Sequence, residues 1–437
     1  MHKKKNRLIY IIKKYFSSVC LIISSLILFY IFYKSEIYWK GNLRSYYFFY
    51  YLISTILIIF SIITFFINDK VKVYLIISLT GFVFLVYIFE GYLVYKNGSK
   101  NNLISKKNKY DFYFQLKKSN ENIAIDVDPS NFLNNQDYKI YPLSGISGVL
   151  TIDCPGQTIW KSDKHGFNND DNDWNERVIE YLIIGDSIAQ GECVDRPDNI
   201  ASMLKIFSKK KTLNLGYDGN GPLLEFATLR EYLKPNVKNV IWLYNEKNDI
   251  DQLKNEIKNK ILIKYLKNLN FTQQLNLKQD QVDYTVNFHL EQNVRKYSKI
   301  KEIKKGYNLT NNLIKFLKVF KIRYLIYSYL KQKNNKIPIE FREILKNANI
   351  LARQNNSNFY FIYLPEVRRY NSLVYVDNFN KIKLIVEDLK IPLIDIKQEV
   401  FEKEKNPLNL FPEKLPGNYN VKGYKKIAEV IYNITKR

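Results

Sequence analysis

The stretch VIEYLIIGDSIAQGECV, residues 178–194, sets an apolar run directly against Gly185-Asp186-Ser187 and then a helix-like segment. The β-rich run over Val178–Ile184 reads as a buried strand. Gly185 permits a sharp turn, and Ser187 lands at the start of a helix. A hydroxyl at that place is either a helix cap or a nucleophile lying beside free backbone N–H groups that stabilise an oxyanion.

The alternation continues downstream. Candidate strands Thr212–Leu215, Val237–Tyr244, Asn358–Leu364 and Ile391–Ile396 interleave with candidate helices Asn199–Phe207, Pro222–Tyr232, Asn380–Leu389 and Val421–Ile434. This predicts an α/β domain over residues 146–437, with a mainly parallel sheet and helices on both faces. Ligands of such sheets bind at the carboxyl ends of the strands, so the residues following each strand are the ones to inspect. After the second strand comes NLGYDGNGP (214–222), a Gly-rich turn able to present an N–H closely; after the third comes YNEKND (244–249), with the Asn248 amide at the sheet edge. One oxygen nucleophile and two donors thus follow three successive strands. Residues 251–345 turn helical and Lys-rich, and read as a helical insertion.

Upstream, Phe16–Tyr33, Tyr46–Ile67 and Val73–Tyr95 are nearly free of charge and about long enough to cross a bilayer, so residues 1–95 read as three transmembrane helices. Lys3, Lys4, Lys5, Arg7, Lys13 and Lys14 precede the first run, and Lys70 and Lys72 separate the second from the third. The positive-inside rule then puts the N-terminus in the cytoplasm and the C-terminal domain outside it, in the periplasm of a Gram-negative cell. Glu90, near the end of the third span, reads as an interfacial carboxylate. Residues 96–145, polar and weakly periodic, read as linker and lead-in.

Composition narrows the function classes. The net charge of +25 comes mostly from scattered Lys, with Arg sparse and no basic stripe carrying interleaved aromatics, which argues against nucleic acid as a partner. There are three Cys, so no disulfide scaffold is implied; Cys154 and Cys193 are free to pair if the domain is exported. With only His2, His165 and His289 and no clustered ligand spacing, no metal or cofactor is expected.

The order of these motifs resembles the SGNH (GDSL-like) hydrolases: Gly185-Asp186-Ser187, then Asn214-x-Gly216-x-x-Gly219, then a strand leading to Asn248-Asp249, then Asn420-x-x-Gly423-Tyr424 before a last helix. The likeness runs from about His165 to the C-terminus, with HGFNN (165–169) similar to the lead-in of many bacterial members. WLYNEKNDI (242–250), FIYLPEVRRY (361–370) and LFPEKLPGNYNVKGYKKIAEVI (410–431) resemble a membrane-anchored bacterial branch often associated with envelope polysaccharide. The resemblance implies a flavodoxin-like fold, Ser187 as nucleophile, and Ser187 N–H, Gly219 and Asn248 as oxyanion donors.

The same resemblance exposes a gap. The family's C-terminal motif supplies a His where this chain has Asn418, and often an Asp where it has Leu415; Lys247 replaces the Gly of the third motif. Asn cannot accept the serine proton as a base. Substitute bases are His165 in the lead-in, His289 in the insertion, and Asp249, Glu246 and Glu366 at strand ends, while Asp395 is placed to orient a base. The expected function is ester hydrolysis or acyl transfer on an envelope glycan or lipid. The alternatives are a catalytically impaired relative that binds acylated glycan or scaffolds polysaccharide assembly, and a non-enzymatic membrane interaction protein. Substrate and oligomeric state are not legible.

Overall fold

The computed structural model describes all residues except 1, 102–108, 120–121, 134–139, 155–157, 304–307, 334–335, 373–374, 376, 413–417 and 437. The chain forms two units, residues 1–96 with 314–322, and residues 97–313 with 323–437.

The first unit holds α1 (His2–Phe32), α2 (Arg44–Phe66) and α3 (Asp69–Asn101). The candidate membrane spans are Lys13–Tyr38, which runs from α1 through a π-helical turn at Tyr33–Tyr38, Tyr46–Phe66 and Asp69–Tyr95, of 26, 21 and 27 residues. At about 1.5 Å per residue, each reaches across a hydrocarbon core of ~30 Å. Short hydroxyl side chains join α1 to α2: Ser17 Oγ donates to Thr64 O at 3.0 Å, and the Ser24 and Ser61 hydroxyls lie 3.3 Å apart. Small residues let the backbones approach, as helices in lipid require. Large apolar side chains such as Phe29, Phe49 and Phe82 face outward.

In the second unit the sheet order decides where a site can form. Strands β4 (Ile179–Gly185), β5 (Thr212–Asn214), β6 (Val237–Asn245), β7 (Asn358–Leu364) and β8 (Leu393–Asp395) lie in the order β5-β4-β6-β7-β8, all parallel. This is a doubly wound sheet whose order reverses at β4. The period of two along each strand feeds two cores. Leu182, Ile184, Val240, Trp242, Phe359 and Phe361 pack on one face, with α7 (Pro222–Tyr232) and α13 (Ile339–Gln354). Tyr181, Ile183, Ile241, Leu243, Ile362 and Leu364 pack on the other, with α6 (Ile200–Ser208) and α16 (Val421–Thr435). The expected α/β architecture with helices on both faces is the one observed, and the strand bounds differ from the sequence reading by one or two residues at most ends.

Other elements come from less patterned sequence. Within 96–145 lie α4 (Lys109–Lys117) and β1 (Ile123–Ile125). β1 pairs parallel with β2 (Leu150–Ile152), which pairs antiparallel with β3 (Ile159–Lys161). Three-residue strands are too short to show a period, so sequence inspection passes over them. The four-residue α5 (Ser187–Gln190) follows β4. Between β6 and β7 the described residues are helical or irregular: α8 (Asp249–Glu256), α9 (Leu262–Lys267), α10 (Gln279–Ile303), α11 (Asn308–Leu317) and α12 (Phe320–Lys333) precede α13. Helices α14 (Arg368–Asn371) and α15 (Phe379–Asp388) lie between β7 and β8.

Candidate active site

Because β4 sits between β5 and β6, the strand order reverses there, and the carboxyl ends of these strands are where a doubly wound sheet takes its ligand. Ser187 stands there as the first residue of α5, 6% exposed. Asp186 is the cap: its carboxylate accepts Ile188 N–H at 3.0 Å and Asn245 Nδ2 at 2.7 Å, tying the turn to the end of β6. Ser187 is therefore not needed to cap α5. Its hydroxyl bonds no described side chain, and its backbone N–H has no acceptor among the described residues. Four residues are too few for a useful helix dipole, so what α5 offers is that unpaired N–H.

Gly219 follows β5 with φ +84°, and a Cβ there would lie 2.0 Å from Asp128 Oδ1, so no larger residue fits. Its loop is fixed by Tyr217 N–H donating to Gly185 O at 3.2 Å and by Asp218 N–H donating to Gln190 Oε1. Asn248 precedes α8 with Oδ1 buried and unpartnered, and Asn220 carries both amide atoms in the same state. Buried amides without protein partners each cost about 1–3 kcal/mol, a penalty that a polar substrate relieves.

Asn418, 5% exposed, sits on the strap before α16 and donates through Nδ2 to Glu192 Oε2, while its Oδ1 is buried without a partner. Asn420 caps α16 by accepting Gly423 N–H at 3.0 Å. A Cβ on Gly423 would approach Leu410 O to 2.5 Å, so glycine lets the strap sit this close. Tyr419 OH donates to Pro365 O at 2.6 Å and pins the strap to the end of β7. Leu415 lies outside the described residues.

Glu192 was not singled out from sequence, because it sits in an ordinary turn. It touches the site from two sides: its N–H donates to Ser187 O at 2.9 Å, and its carboxylate receives Asn418. The next residue, Cys193, forms a disulfide with Cys154, and a Glu192 carboxylate oxygen lies within 4.8 Å of both sulfurs. Cys193 N–H donates to Asp153 Oδ2 at 3.0 Å. The bridge spans 39 residues, and a loop of that size removes about 4 kcal/mol of chain entropy from the unfolded state. Reduction of the bridge is expected to lower unfolding free energy by ~2–4 kcal/mol, read as a shifted denaturant midpoint; an unchanged midpoint would contradict this.

Around Glu192 lies a group of charges that the sequence reading also missed, since it draws on the lead-in. Burial raises the carboxyl pKa values of Asp126 and, much further, of Asp218, and pushes Asp153 up to about 8. Burial opposes charge on Lys109, but the surrounding Asp126, Asp218, Asp153 and Glu192 outweigh it and raise the ammonium pKa. Gln190 Nε2 donates to Asp126 Oδ2 at 2.8 Å, linking this group to α5. The only trace in sequence is IAIDVD (123–128), acids placed at and just after a short apolar run.

The remaining sequence candidates have other partners. Glu246 is held by Arg369, by the Tyr363 and Tyr375 hydroxyls and by Glu366 N–H, while Glu366 accepts Arg368 Nε at 2.6 Å. Asp249 accepts Asn245 N–H at 2.8 Å, and burial raises its pKa well above the carboxylate range. Asp395 accepts Gln398 N–H at 3.3 Å, and His289 packs on Phe132 with ring centroids 4.9 Å apart.

His165 packs against Trp174 and Tyr232, with ring centroids 4.4 and 5.6 Å away, and its Nδ1 is buried without a partner. Burial pushes its pKa down to about 4. The unfolded chain, with His near 6.5, binds more protons between about pH 4 and 6.5, so this residue makes stability fall as pH drops through that window. Neighbouring Asp163, raised by burial to about 6, acts with the opposite sign. The difference between wild type and His165→Phe isolates the histidine: the variant should lose less stability on going from pH 7 to 4.5 while keeping its activity. Equal acid sensitivity, or lost turnover in a folded variant, would contradict that placement.

No protein-family model and no curated protein matches the chain. Among solved structures it is similar to a lipolytic protein of the G-D-S-L family from Desulfitobacterium hafniense DCB-2, at 13% identity and TM-score 0.33, over 58% of this chain and 98% of that one. It is also similar to a member of the lipolytic G-D-S-L family from Veillonella parvula DSM 2008, at 12% identity and TM-score 0.32, over 60% of this chain and all of that one. At this level of likeness, nothing about substrate or chemistry is carried over from either protein.

Proposed function

We propose that the chain is a membrane-anchored SGNH-type serine hydrolase or O-acyltransferase in which Asn418 stands where relatives carry a histidine, acting on an acyl ester of an envelope glycan or lipid. The observation that carries this reading is the Ser187 hydroxyl, uncommitted to any described side chain, with its own N–H lacking an acceptor among the described residues and a positive-φ glycine turn at Gly219 after the neighbouring strand. Ser187 Oγ attacks the acyl carbonyl, and the developing oxyanion takes N–H bonds from Ser187 and Gly219 and from the Asn248 amide. Glu192, held by Asn418, accepts the serine proton and returns it to the departing alkoxide. Water, or a sugar hydroxyl, then takes the acyl group from Ser187 and restores the hydroxyl.

The Cys154–Cys193 bridge supports an extracytoplasmic domain, since such bridges persist in oxidising compartments. That agrees with three crossings from a cytoplasmic N-terminus. Glu192→Gln keeps an oxygen acceptor for Asn418 but removes the base. It should lower kcat on a small activated ester by ~100-fold with KM nearly unchanged; undiminished kcat would remove Glu192 from the mechanism.

One observation favours a second reading. Asn418 bonds Glu192 and has no hydrogen bond to Ser187. A pocket so arranged suits an acylated glycan held without turnover, and then neither Ser187 nor Glu192 variants change any rate.

A further inference from the structure

The helical stretch between β6 and β7 has a feature unrelated to the serine site. Residues 314–322 belong to the membrane unit, where they pack on the end of α3. Tyr87 OH donates to Leu317 O at 3.0 Å, and its ring lies 5.6 Å from that of Phe316. Glu90, expected from sequence to be an interfacial carboxylate, is 0% exposed: its two oxygens accept Lys321 N–H at 2.8 Å and Ile322 N–H at 2.9 Å. These N–H groups open the 14-residue α12, which has no internal acceptors for them. A buried carboxylate on a candidate span therefore staples the start of α12.

The surface beside that staple is apolar and uncovered. On α11, Leu313, Ile314 and Leu317 fall on one stripe and are 60%, 46% and 55% exposed. On α12, Phe320 follows at helical spacing and is 46% exposed, while Tyr324 one turn on is bonded to Arg368. Lys315 and Lys318 interrupt the stripe, so the pattern mixes apolar residues, tyrosines and lysines. Tyr and Lys beside a leucine stripe suit the headgroup boundary, where aromatic rings and long cationic stems each keep one end wet.

We propose that residues 314–322, the end of α11 and the start of α12, lie in the interface of the same bilayer that α1–α3 cross, with Ile314, Leu317 and Phe320 in the acyl boundary and Glu90 as the anchor. Lipid is favoured over a protein partner by continuity: the stripe begins on residues already packed against a span, and the exposed surface of that span is itself apolar. The insertion is then a membrane-seated element.

The test uses the full chain in nanodiscs of phosphatidylethanolamine and phosphatidylglycerol, with Cys20→Ala and the disulfide intact. Nitroxide labels are placed at Leu317→Cys and Phe320→Cys, with Ile62→Cys as a lipid reference and Leu277→Cys, at a site 79% exposed, as a water reference. Collision with oxygen should exceed collision with a water-soluble nickel chelate at 317 and 320, as at 62. A pattern like that at 277 overturns the proposal, and so does shielding from both reagents, which would mean a protein cover. Glu90→Ala should raise nickel access at 317 several-fold; unchanged access overturns the anchor.

Discussion

Ser187→Ala abolishes ester turnover down to the level that oxyanion donors and binding sustain alone, a loss of about a thousandfold. The loss is smaller than the roughly millionfold effect of removing a nucleophile from an intact triad, because the wild-type chain already lacks a histidine at 418. Folding should be nearly untouched. Asp186 and not Ser187 caps α5, and the Ser187 hydroxyl bonds no described side chain, so its removal orphans no buried group. Thermal unfolding of the variant should therefore overlay that of wild type, while the rate on an acetylated sugar falls about a thousandfold, to the residual level of the oxyanion donors. An equal rate in both proteins would place any turnover elsewhere.

Asn418→His should act in the opposite direction and raise turnover by ~100-fold or more near neutral pH, the usual contribution of a positioned general base. The strap that carries residue 418 is fixed by the Asn420 cap and by the Tyr419 bond to Pro365, so a histidine there inherits a defined place. Glu192, now bonded to Asn418 Nδ2, becomes the carboxylate that orients the imidazole, giving a serine, histidine and glutamate in series. The neutral imidazole is the active form, so the gained activity should rise with pH through about 6.5 and then level off. A flat profile with no gain would mean that residue 418 is not aimed at Ser187.

What could be read beforehand depended on pattern length. The strands β4, β6 and β7 each run seven residues or more and are apolar on both faces, so they and the layers around them were visible. Ser187 and Asn248 come within three residues of the ends of β4 and β6, which is why inspection of strand ends picks them out, whereas Gly219 is marked by its glycine-rich turn after the short β5. Glu192 could not be found in that way: it reaches the site through the Gly191 turn and a bond to a residue 226 positions away. The acids Asp126 and Asp153, each just after a strand, are hidden for a related reason, since β1 and β2 are three residues each. Cys154 and Cys193 were named as partners only on condition of export, and it is the fold that brings their α-carbons to 5.1 Å. Glu90 was placed on its span, but its partners at 321 and 322 lie over two hundred residues away in sequence.

The central claim is that Ser187 is a live nucleophile in a site without histidine. Intact-mass analysis of the purified full chain after treatment with a fluorophosphonate, followed by peptide mapping, tests it directly. A live nucleophile gives a single phosphonyl adduct on Ser187, slow to form in wild type, faster in Asn418→His and absent from Ser187→Ala. A wild-type chain that stays unmodified under conditions where Asn418→His reacts would contradict it, and would leave the pocket a binding site for acylated glycan.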